Sequence, residues 1–198
     1  MPTSDKMTFG RIVCILLSGK AGVGKTTSAR ILKDIYSKRG LNVENFSFAA
    51  GVKAEARRMG WNGEKDEKGR KFLQDIGKVA REYDKDCWAK ITFDGLIMNN
   101  DNYPFDVVII DDYRFPNEGN FVRNSPLYHV FEVRVFAPNR EMLKGTENYL
   151  DVSENSLPEV GTVGANYFSF IDNCTTMDDL YEQCGKLVKD IEPNIIKW

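Results

Sequence analysis

Short apolar runs alternate along the chain with segments in which apolar residues recur every three or four positions. The runs RIVCILLSG, NVENFSFA, FDVVIIDD and HVFEVRVFA have the length and composition of strands, and NYFSFID is a later candidate. Helical patterns follow at 26–39, over most of 51–99 and near 177–191. Strands that alternate with helices predict an α/β fold with a central, mainly parallel sheet.

Two polar stretches interrupt this pattern. The segment GWNGEKDEKG divides the helical region with glycines and charges, and it is predicted to be a loop. The segment 138–165 is polar, contains glycine and lacks sustained periodicity. It could be a lid over a binding site or a partly ordered surface loop, and composition does not choose between them.

The composition is that of one ordinary domain. The chain has 198 residues, 42% of them hydrophobic, and a formal charge of -2, so it lacks the overall basic field that nucleic-acid binding usually requires. Its four cysteines form no CxxC pair, which favours a reducing compartment. The longest apolar run, 12–17, is far shorter than a membrane span. We therefore expect a soluble, cytoplasmic protein that binds no nucleic acid polymer and no membrane.

The segment LLSGKAGVGKTTSARIL carries a complete phosphate-binding motif. It fits GxxxxGK[ST] between a predicted strand and a predicted helix, which is the context that the motif needs. Glycines let the backbone amides turn inward toward anionic oxygens, and the helix N-terminus adds favourable potential. The alternative is a glycine-rich turn without a ligand, and the full motif in its context argues against it. The residues predicted to bind ATP here are Gly19, Lys20, Ala21, Gly22, Val23, Gly24, Lys25, Thr26 and Thr27.

The same motif predicts a metal site. Lys25 would contact the β- and γ-phosphates, and Thr26 would place its hydroxyl on Mg²⁺. A carboxylate that helps to position the metal is expected at the end of a neighbouring strand, where VVIIDD places Asp111 and Asp112. These two acids could instead be solvated loop residues. If one of them helps to position the metal, we favour Asp111 slightly. Thr27 is expected in the first helical turn, near the α-phosphate of the donor.

The charged region 53–81 narrows the chemistry. No NKxD motif and no LSGGQ signature is present, which argues against a GTPase switch and a transporter ATPase. If 69–83 is a helix, it has an apolar stripe, a mixed-charge stripe and a third stripe that contains Arg70, Gln74, Gly77 and Arg81. Arginines beside a mid-helix glycine suit the wall of a second anion site, although ordinary surface arginines would give the same pattern. A phosphate loop and such a wall suggest a kinase with a phosphorylated acceptor.

Two longer segments carry a family resemblance. FSFAAGVKAEARRMGWNGEKDEKGRKFLQDIGKVAREYDKDCWAK and VVIIDDYRFPNEGNF, together with the phosphate loop, resemble the deoxynucleoside monophosphate kinases of phages and bacteria, within the P-loop nucleoside monophosphate kinase group. The resemblance runs from residue 12 to about residue 157, and its most specific parts are GWNGEKDEKGRKFLQDIG and DDYRFPNE. It implies a single three-layer P-loop domain with a five-stranded parallel sheet. Its core would be 11–49 and 104–198, with a helical acceptor-binding insertion at about 50–99 and a lid at about 138–158.

The resemblance also implies roles for individual residues. Trp88 would belong to the wall of the base pocket or to the core, and Arg114 would point at the transferring phosphate. Arg140 and Lys144 would be the cations of the lid, with Arg140 on ATP. The residues that would contact the monophosphate nucleotide are Lys53, Lys65, Asp66, Arg70, Gln74 and Arg81.

The lid motif departs from the family's pattern. DVSENSL resembles a closing acidic motif in which a histidine commonly stands near the Ser-Glu, but Val152 occupies that neighbourhood here. The departure leaves the lid roles of Ser153 and Glu154 open. His129, in a predicted strand, is expected to be structural.

The function that these features predict is transfer of the γ-phosphoryl group of ATP to a deoxynucleoside monophosphate. Mg²⁺ would be the cofactor, Lys25, Arg70 and Arg114 would be catalytic, and a homodimer is compatible with the sequence. Two alternatives remain. One is a P-loop kinase for another small phosphorylated acceptor, such as phosphomevalonate, and the other is a nucleotide-dependent binding or assembly ATPase that acts through partners.

Overall fold

Five parallel strands form the centre of the molecule. The computed structural model describes residues 12–100, 105–140, 152–158 and 167–195. The strands are β1 (Ile12–Ser18), β2 (Val43–Phe46), β3 (Val107–Tyr113), β4 (Tyr128–Phe136) and β5 (Ser169–Asp172). Their order across the sheet is β2-β3-β1-β4-β5, and every pairing is parallel. The predicted α/β fold with a five-stranded parallel sheet is confirmed.

Helices connect and cover the strands. In the described ranges they are α1 (Lys25–Lys38), α2 (Ala49–Arg58), α3 (Glu67–Tyr83), α4 (Cys87–Asn100), α5 (Pro116–Arg123), α6 (Val152–Asn155) and α7 (Met177–Ile191), with short 3-10 turns at Pro138–Arg140 and Glu192–Asn194. Helix α7 has its predicted bounds. Helix α5 was not predicted from the sequence; it begins with Pro116, which needs no N–H partner at the first helical position.

The sheet is covered on both faces, which gives the three layers. Residues 13–17 of β1 are fully buried, and their side chains alternate between two clusters. Ile15 lies in the cluster that contains Leu32 of α1 and Leu180 of α7. Leu16 lies in the cluster that contains Phe93 of α4 and Val122 of α5. This burial explains why the first strand is a continuous apolar run and does not alternate with polar residues.

Helices α2, α3 and α4 pack on one another as a lobe beside the carboxyl edge of the sheet. Helix α3 is the least buried of the three along its length, and Gly69 and Gly77 are its buried residues. Its predicted apolar face, which includes Phe72, Ile76 and Val79, is only partly covered by described residues, since Val79 is exposed, as is the neighbouring Tyr83. The lobe therefore directs the glycine side of α3 inward and leaves apolar side chains on the outside.

Two sequence-level expectations can be compared with the described residues. All four cysteines are free thiols, in line with their scattered positions. Within the described ranges, every helix is too short or too polar to cross a bilayer.

Candidate functional site

The phosphate loop has the backbone that its glycines make possible. Gly19, Gly22 and Gly24 have φ values of 142°, 87° and 100°, in the region that side-chain-bearing residues rarely adopt. At two of these positions a side chain would also collide with a neighbour. A Cβ on Gly19 would strike the carbonyl oxygen of Val135, and a Cβ on Gly24 would strike the amide of Asn173. The loop is thus fitted between β1, α1 and the ends of β4 and β5.

The lysine of the motif lies over this loop. Lys25 is 8% exposed, and its Nζ donates hydrogen bonds to the carbonyl oxygens of Gly19 at 2.7 Å and Lys20 at 2.8 Å. From the other side, Asn173 Nδ2 donates to the carbonyl oxygen of Val23 at 2.9 Å. The ammonium group is therefore held at the mouth of the loop, where phosphate oxygens would arrive.

The two aspartates at the end of β3 have different surroundings. Thr26 Oγ1 donates to Asp111 Oδ2 at 2.6 Å. Asp112 accepts from Ser47 Oγ at 2.6 Å and from the backbone N–H groups of Phe48 at 2.8 Å and Ala49 at 2.9 Å. Asp112 thus anchors the start of α2, which is why β2 ends at Phe46, short of the predicted strand. Asp111 is the carboxylate that lies beside the motif threonine.

The oxygen pair at Thr26 and Asp111 fits Mg²⁺. This ion prefers hard oxygen ligands and retains several waters, so one hydroxyl and one carboxylate beside the substrate phosphates are a suitable protein contribution. Among the described residues no cluster of three or more His, Cys, Asp or Glu side chains could hold a metal by itself.

Two adjoining pockets, which share part of their lining, form a cleft that extends from the phosphate loop into the helical lobe. Its volume is about 430 Å³ at the phosphate-loop end and about 140 Å³ at the Trp88 end, and Lys53, Gln74 and Arg114 line both parts. The predicted site residues that it brings together are Ala21, Gly22, Lys25, Thr26 and Asp111 with Lys53, Lys65, Arg70, Gln74, Arg81, Trp88 and Arg114.

Cations concentrate on the lobe side of the cleft. The pKa of Lys65 lies below its ordinary value, first because neighbouring atoms displace water from its ammonium group and then because cations lie near it. These cations are Lys53, Arg70 and Arg114, and Asp112 offsets them in part. Together with Lys65, these cations come from α2, from the loop before α3, from α3 and from the residue after β3. They repel one another, so an anionic ligand would relieve their repulsion.

The far end of the cleft is mainly apolar and aromatic. Trp88 is 5% exposed, and its Nε1 donates to the carbonyl oxygen of Gly77 at 3.2 Å. The guanidinium of Arg81 lies 4.2 Å from the centroid of the Phe115 ring, which is within cation–π range. Phe48, Val52 and Leu73 complete the apolar lining. Trp88 is therefore both a packed tryptophan and part of the wall of the cleft.

Arg114 stands where the cleft meets the segment 152–158. Its Nη1 donates to the carbonyl oxygen of Ser153 at 3.0 Å. On the other side of the loop, Lys20 Nζ donates to Asn155 Oδ1 at 2.6 Å, so Lys20 contacts α6. Leu157 anchors this segment in the hydrophobic core. Of the predicted lid region, 138–158, the structure describes residues 138–140 and 152–158 only.

Glu118 is a site residue that the sequence analysis missed. It is 5% exposed, and its Oε2 accepts from the backbone N–H groups of Arg114 at 2.9 Å and Phe115 at 3.0 Å. Burial raises the pKa of its carboxyl to about 7, against the lowering effect of these two hydrogen bonds. Asp112 raises this pKa further, and Arg81 lowers it. The signal was present in FPNE, because a glutamate three residues after the start of a turn of this kind is a helix-capping pattern.

The remaining predicted site residues either do not line the cleft or lie outside the residues that the structure describes. Asp66 caps α3 by accepting from the N–H of Gly69 at 2.6 Å, and it borders an outer groove. Thr27 is half-buried in the first turn of α1, as predicted, and His129 pairs with Val13 inside the sheet. The side chains of Arg140 and Glu154, and all of Lys144, lie outside the described residues.

Comparisons with known proteins support the fold. No family model matches the chain, and neither does any curated protein. The crystal structure of APE1195 is similar at 20% identity, with 93% of this chain and 97% of that chain covered and a TM-score of 0.51. A mutant of the Mycobacterium tuberculosis APS kinase CysC is similar at 15% identity, with 92% and 99% covered and a TM-score of 0.44. The complex of that kinase with AMPPNP and APS has 14% identity, the same coverage and a TM-score of 0.46. The likeness to APE1195 extends to the fold alone, and the other two, with TM-scores below 0.5, carry no argument.

Proposed function

We propose that this protein transfers the γ-phosphoryl group of ATP to the α-phosphate of a deoxynucleoside monophosphate, with Mg²⁺ as cofactor. The observation that carries the proposal is the pair of adjoining pockets that joins a phosphate loop to a separate cationic and aromatic wall, with Arg114 lining both. A protein that only hydrolyses ATP has no use for the second wall. A kinase needs both, because donor and acceptor must lie in line.

At the donor end, the loop amides and Lys25 would bind the triphosphate. Lys25 would exchange its present carbonyl partners for phosphate oxygens, to which its charge is better matched. Thr26 and Asp111 would hold Mg²⁺ from one side. When bound, Mg²⁺ neutralises the charge on the β- and γ-phosphates.

At the acceptor end, the cations of the lobe would bind the monophosphate. Arg70 and Lys53 line the phosphate-loop part of the cleft, so they would hold the acceptor phosphate close to the donor. The nucleoside would extend toward Trp88 and Arg81, where aromatic and apolar side chains offer a surface for a flat base. This aromatic end is the reason to prefer a nucleotide to a non-aromatic phosphorylated acceptor.

The chemistry requires alignment and charge neutralisation. A monophosphate is already ionised at neutral pH, so no side chain has to remove a proton from it. Arg114 directly follows β3 and lines both parts of the cleft, and Glu118 accepts a hydrogen bond from its backbone N–H. Lys25 and Arg114 would therefore stabilise the negative charge that spreads over the transferring group.

The proposal is tested by ADP production from ATP and Mg²⁺ with a panel of nucleoside and deoxynucleoside monophosphates. We expect turnover that depends on the acceptor, greater with deoxynucleotides than with phosphomevalonate, and reduced at least about 100-fold in Lys25→Met. Turnover that is independent of any acceptor would instead support a binding or assembly ATPase. Stimulation by non-nucleotide phosphates alone would support the other kinase class.

A further inference from the structure

The outer side of α3 presents an apolar stripe. It consists of Phe72, Ile76, Val79 and Tyr83, which fall within about 60° of one another around the helix. Phe72 and Ile76 are half-buried, whereas Val79 is 66% exposed and Tyr83 is 96% exposed. Two exposed and two half-buried large side chains on one face of a helix form a continuous apolar surface that another molecule could cover.

A charged row runs beside this stripe, about 100° around the helix. It has the sign order plus, minus, plus, minus, at Lys71, Asp75, Lys78 and Glu82. Within the helix, Lys71 pairs with Asp75 at 3.2 Å and Lys78 with Glu82 at 3.9 Å. All four side chains are more than half exposed, so each can take a second partner from another molecule.

Both rows are complementary to themselves when one copy of the helix is reversed. The apolar residues have steps of four, three and four, which are the same in either direction. With the two-fold axis level with Gly77, both rows match to within one residue, or about 1.5 Å along the helix, so each cation lies near an anion: Lys71 near Glu82, and Asp75 near Lys78. We propose that α3 is the contact surface of a homodimer, in which two copies lie antiparallel about a two-fold axis. A two-fold interface requires this kind of self-complementary patch.

An adjoining groove explains the exposure of Tyr83. The groove has a volume of about 550 Å³ and is lined in part by Met59, Trp61 and Phe72. In the antiparallel arrangement Tyr83 of the second copy lies opposite Phe72, at the edge of this groove. Each tyrosine would thus lose its exposure in the groove of the other copy. Aromatic side chains that fill a partner's pocket are typical anchors of interfaces.

The interface is small, because one helix and one groove bury less area than a standard protein interface. We therefore expect a reversible dimer of the full chain, with a Kd of about 1–100 µM. Sedimentation equilibrium over this range measures it. Tyr83→Ser should raise the Kd at least about tenfold. Met177→Ser, which removes a similarly exposed apolar side chain from α7, should leave the Kd unchanged.

A reversal of the charged row tests the arrangement itself. The variant Lys71→Glu, Asp75→Lys, Lys78→Glu and Glu82→Lys keeps every pair within the helix and restores every pair between two variant chains. It should dimerise within about threefold of the natural Kd, whereas mixed dimers with the natural chain should be at least about tenfold weaker. Native mass spectrometry of the mixture distinguishes the species. Mixed dimers as strong as the parents, a monomeric full chain up to about 200 µM, or a Kd that Tyr83→Ser leaves unchanged would each overturn the proposal.

Discussion

Glu118 provides a quantitative test of how burial and hydrogen bonding compete in this cleft. Its carboxyl is nearly inaccessible, yet two backbone N–H groups point at one of its oxygens. The substitution Glu118→Gln keeps an oxygen in that place and removes the charge. The glutamine therefore imitates the protonated glutamate, and the difference between the two proteins isolates the cost of the buried charge.

The expected magnitude follows from the pKa. Burial raises it from 4.5 to about 7, which at about 1.4 kcal/mol per pH unit corresponds to about 3 kcal/mol. Below pH 4.5 the carboxyl is protonated in both the folded and the unfolded chain, so the two proteins should be equally stable. Between pH 4.5 and 7 the folded chain keeps a proton that the unfolded chain has lost. The natural protein should therefore lose stability as the pH rises through this window.

Urea denaturation at several pH values from 4.5 to 8 measures this difference. We expect Glu118→Gln to be about 3 kcal/mol more stable than the natural protein at pH 8 and to match it near pH 4.5. Glu182→Gln, at an exposed position of α7, should differ by less than about 0.5 kcal/mol at every pH. If Glu118→Gln is the less stable protein at pH 8, the charge stabilises the fold and the nearby arginines outweigh burial.

Two further substitutions test the cleft and the loop. Arg70→Ala should raise the acceptor KM about 10- to 100-fold and leave ATP binding nearly unchanged, because a charged hydrogen bond contributes about 1.5–3 kcal/mol. Arg58→Ala, on the outer side of α2, is the control and should change neither value. Equal weakening of acceptor and ATP binding in Arg70→Ala, or the same effect in Arg58→Ala, would contradict the place of Arg70 at the acceptor. Gly24→Ala should lower the free energy of unfolding by about 1–3 kcal/mol, since it adds a collision with Asn173 to backbone strain. Gly40→Ala, with a φ of 77° and open space around it, should cost less in the same urea titration, and an equal cost would show that the contact with Asn173 has no effect.

The parts of the site that sequence predicts best are local. The phosphate loop is recognisable because its function depends on spacing within eight residues, and β1 is recognisable because burial on both faces leaves a continuous apolar run. The Arg70 to Arg81 stripe is likewise a property of one helix. Each of these patterns can be recognised within its own segment, without knowing which residues pack against it.

Other features depend on contacts that sequence does not display. Neighbouring residues of a strand point to opposite faces, so the division of labour between Asp111 and Asp112 depends on where α1 and α2 lie. The cations that surround Lys65 come from elements far apart in the chain. Glu118 differs from these two cases, because FPNE does carry a local capping signal, with Pro116 and the glutamate in the first turn of α5. For the two aspartates and for Lys65, the missing information is which surfaces of separate elements meet.

The placement of Trp88 has an optical consequence. An indole that is 5% exposed and hydrogen-bonded to the backbone of α3 should emit at shorter wavelength than one in water, and it forms part of the wall that an acceptor would touch. Trp61 lies at the outer groove, with its ring 5.6 Å from the guanidinium of Arg57, so its emission would respond to events on the other side of the lobe. Two of the three tryptophans of the chain thus report separately on its two faces. Ligand binding in the cleft should therefore be measurable as a change in the intrinsic fluorescence of Trp88, without an added label.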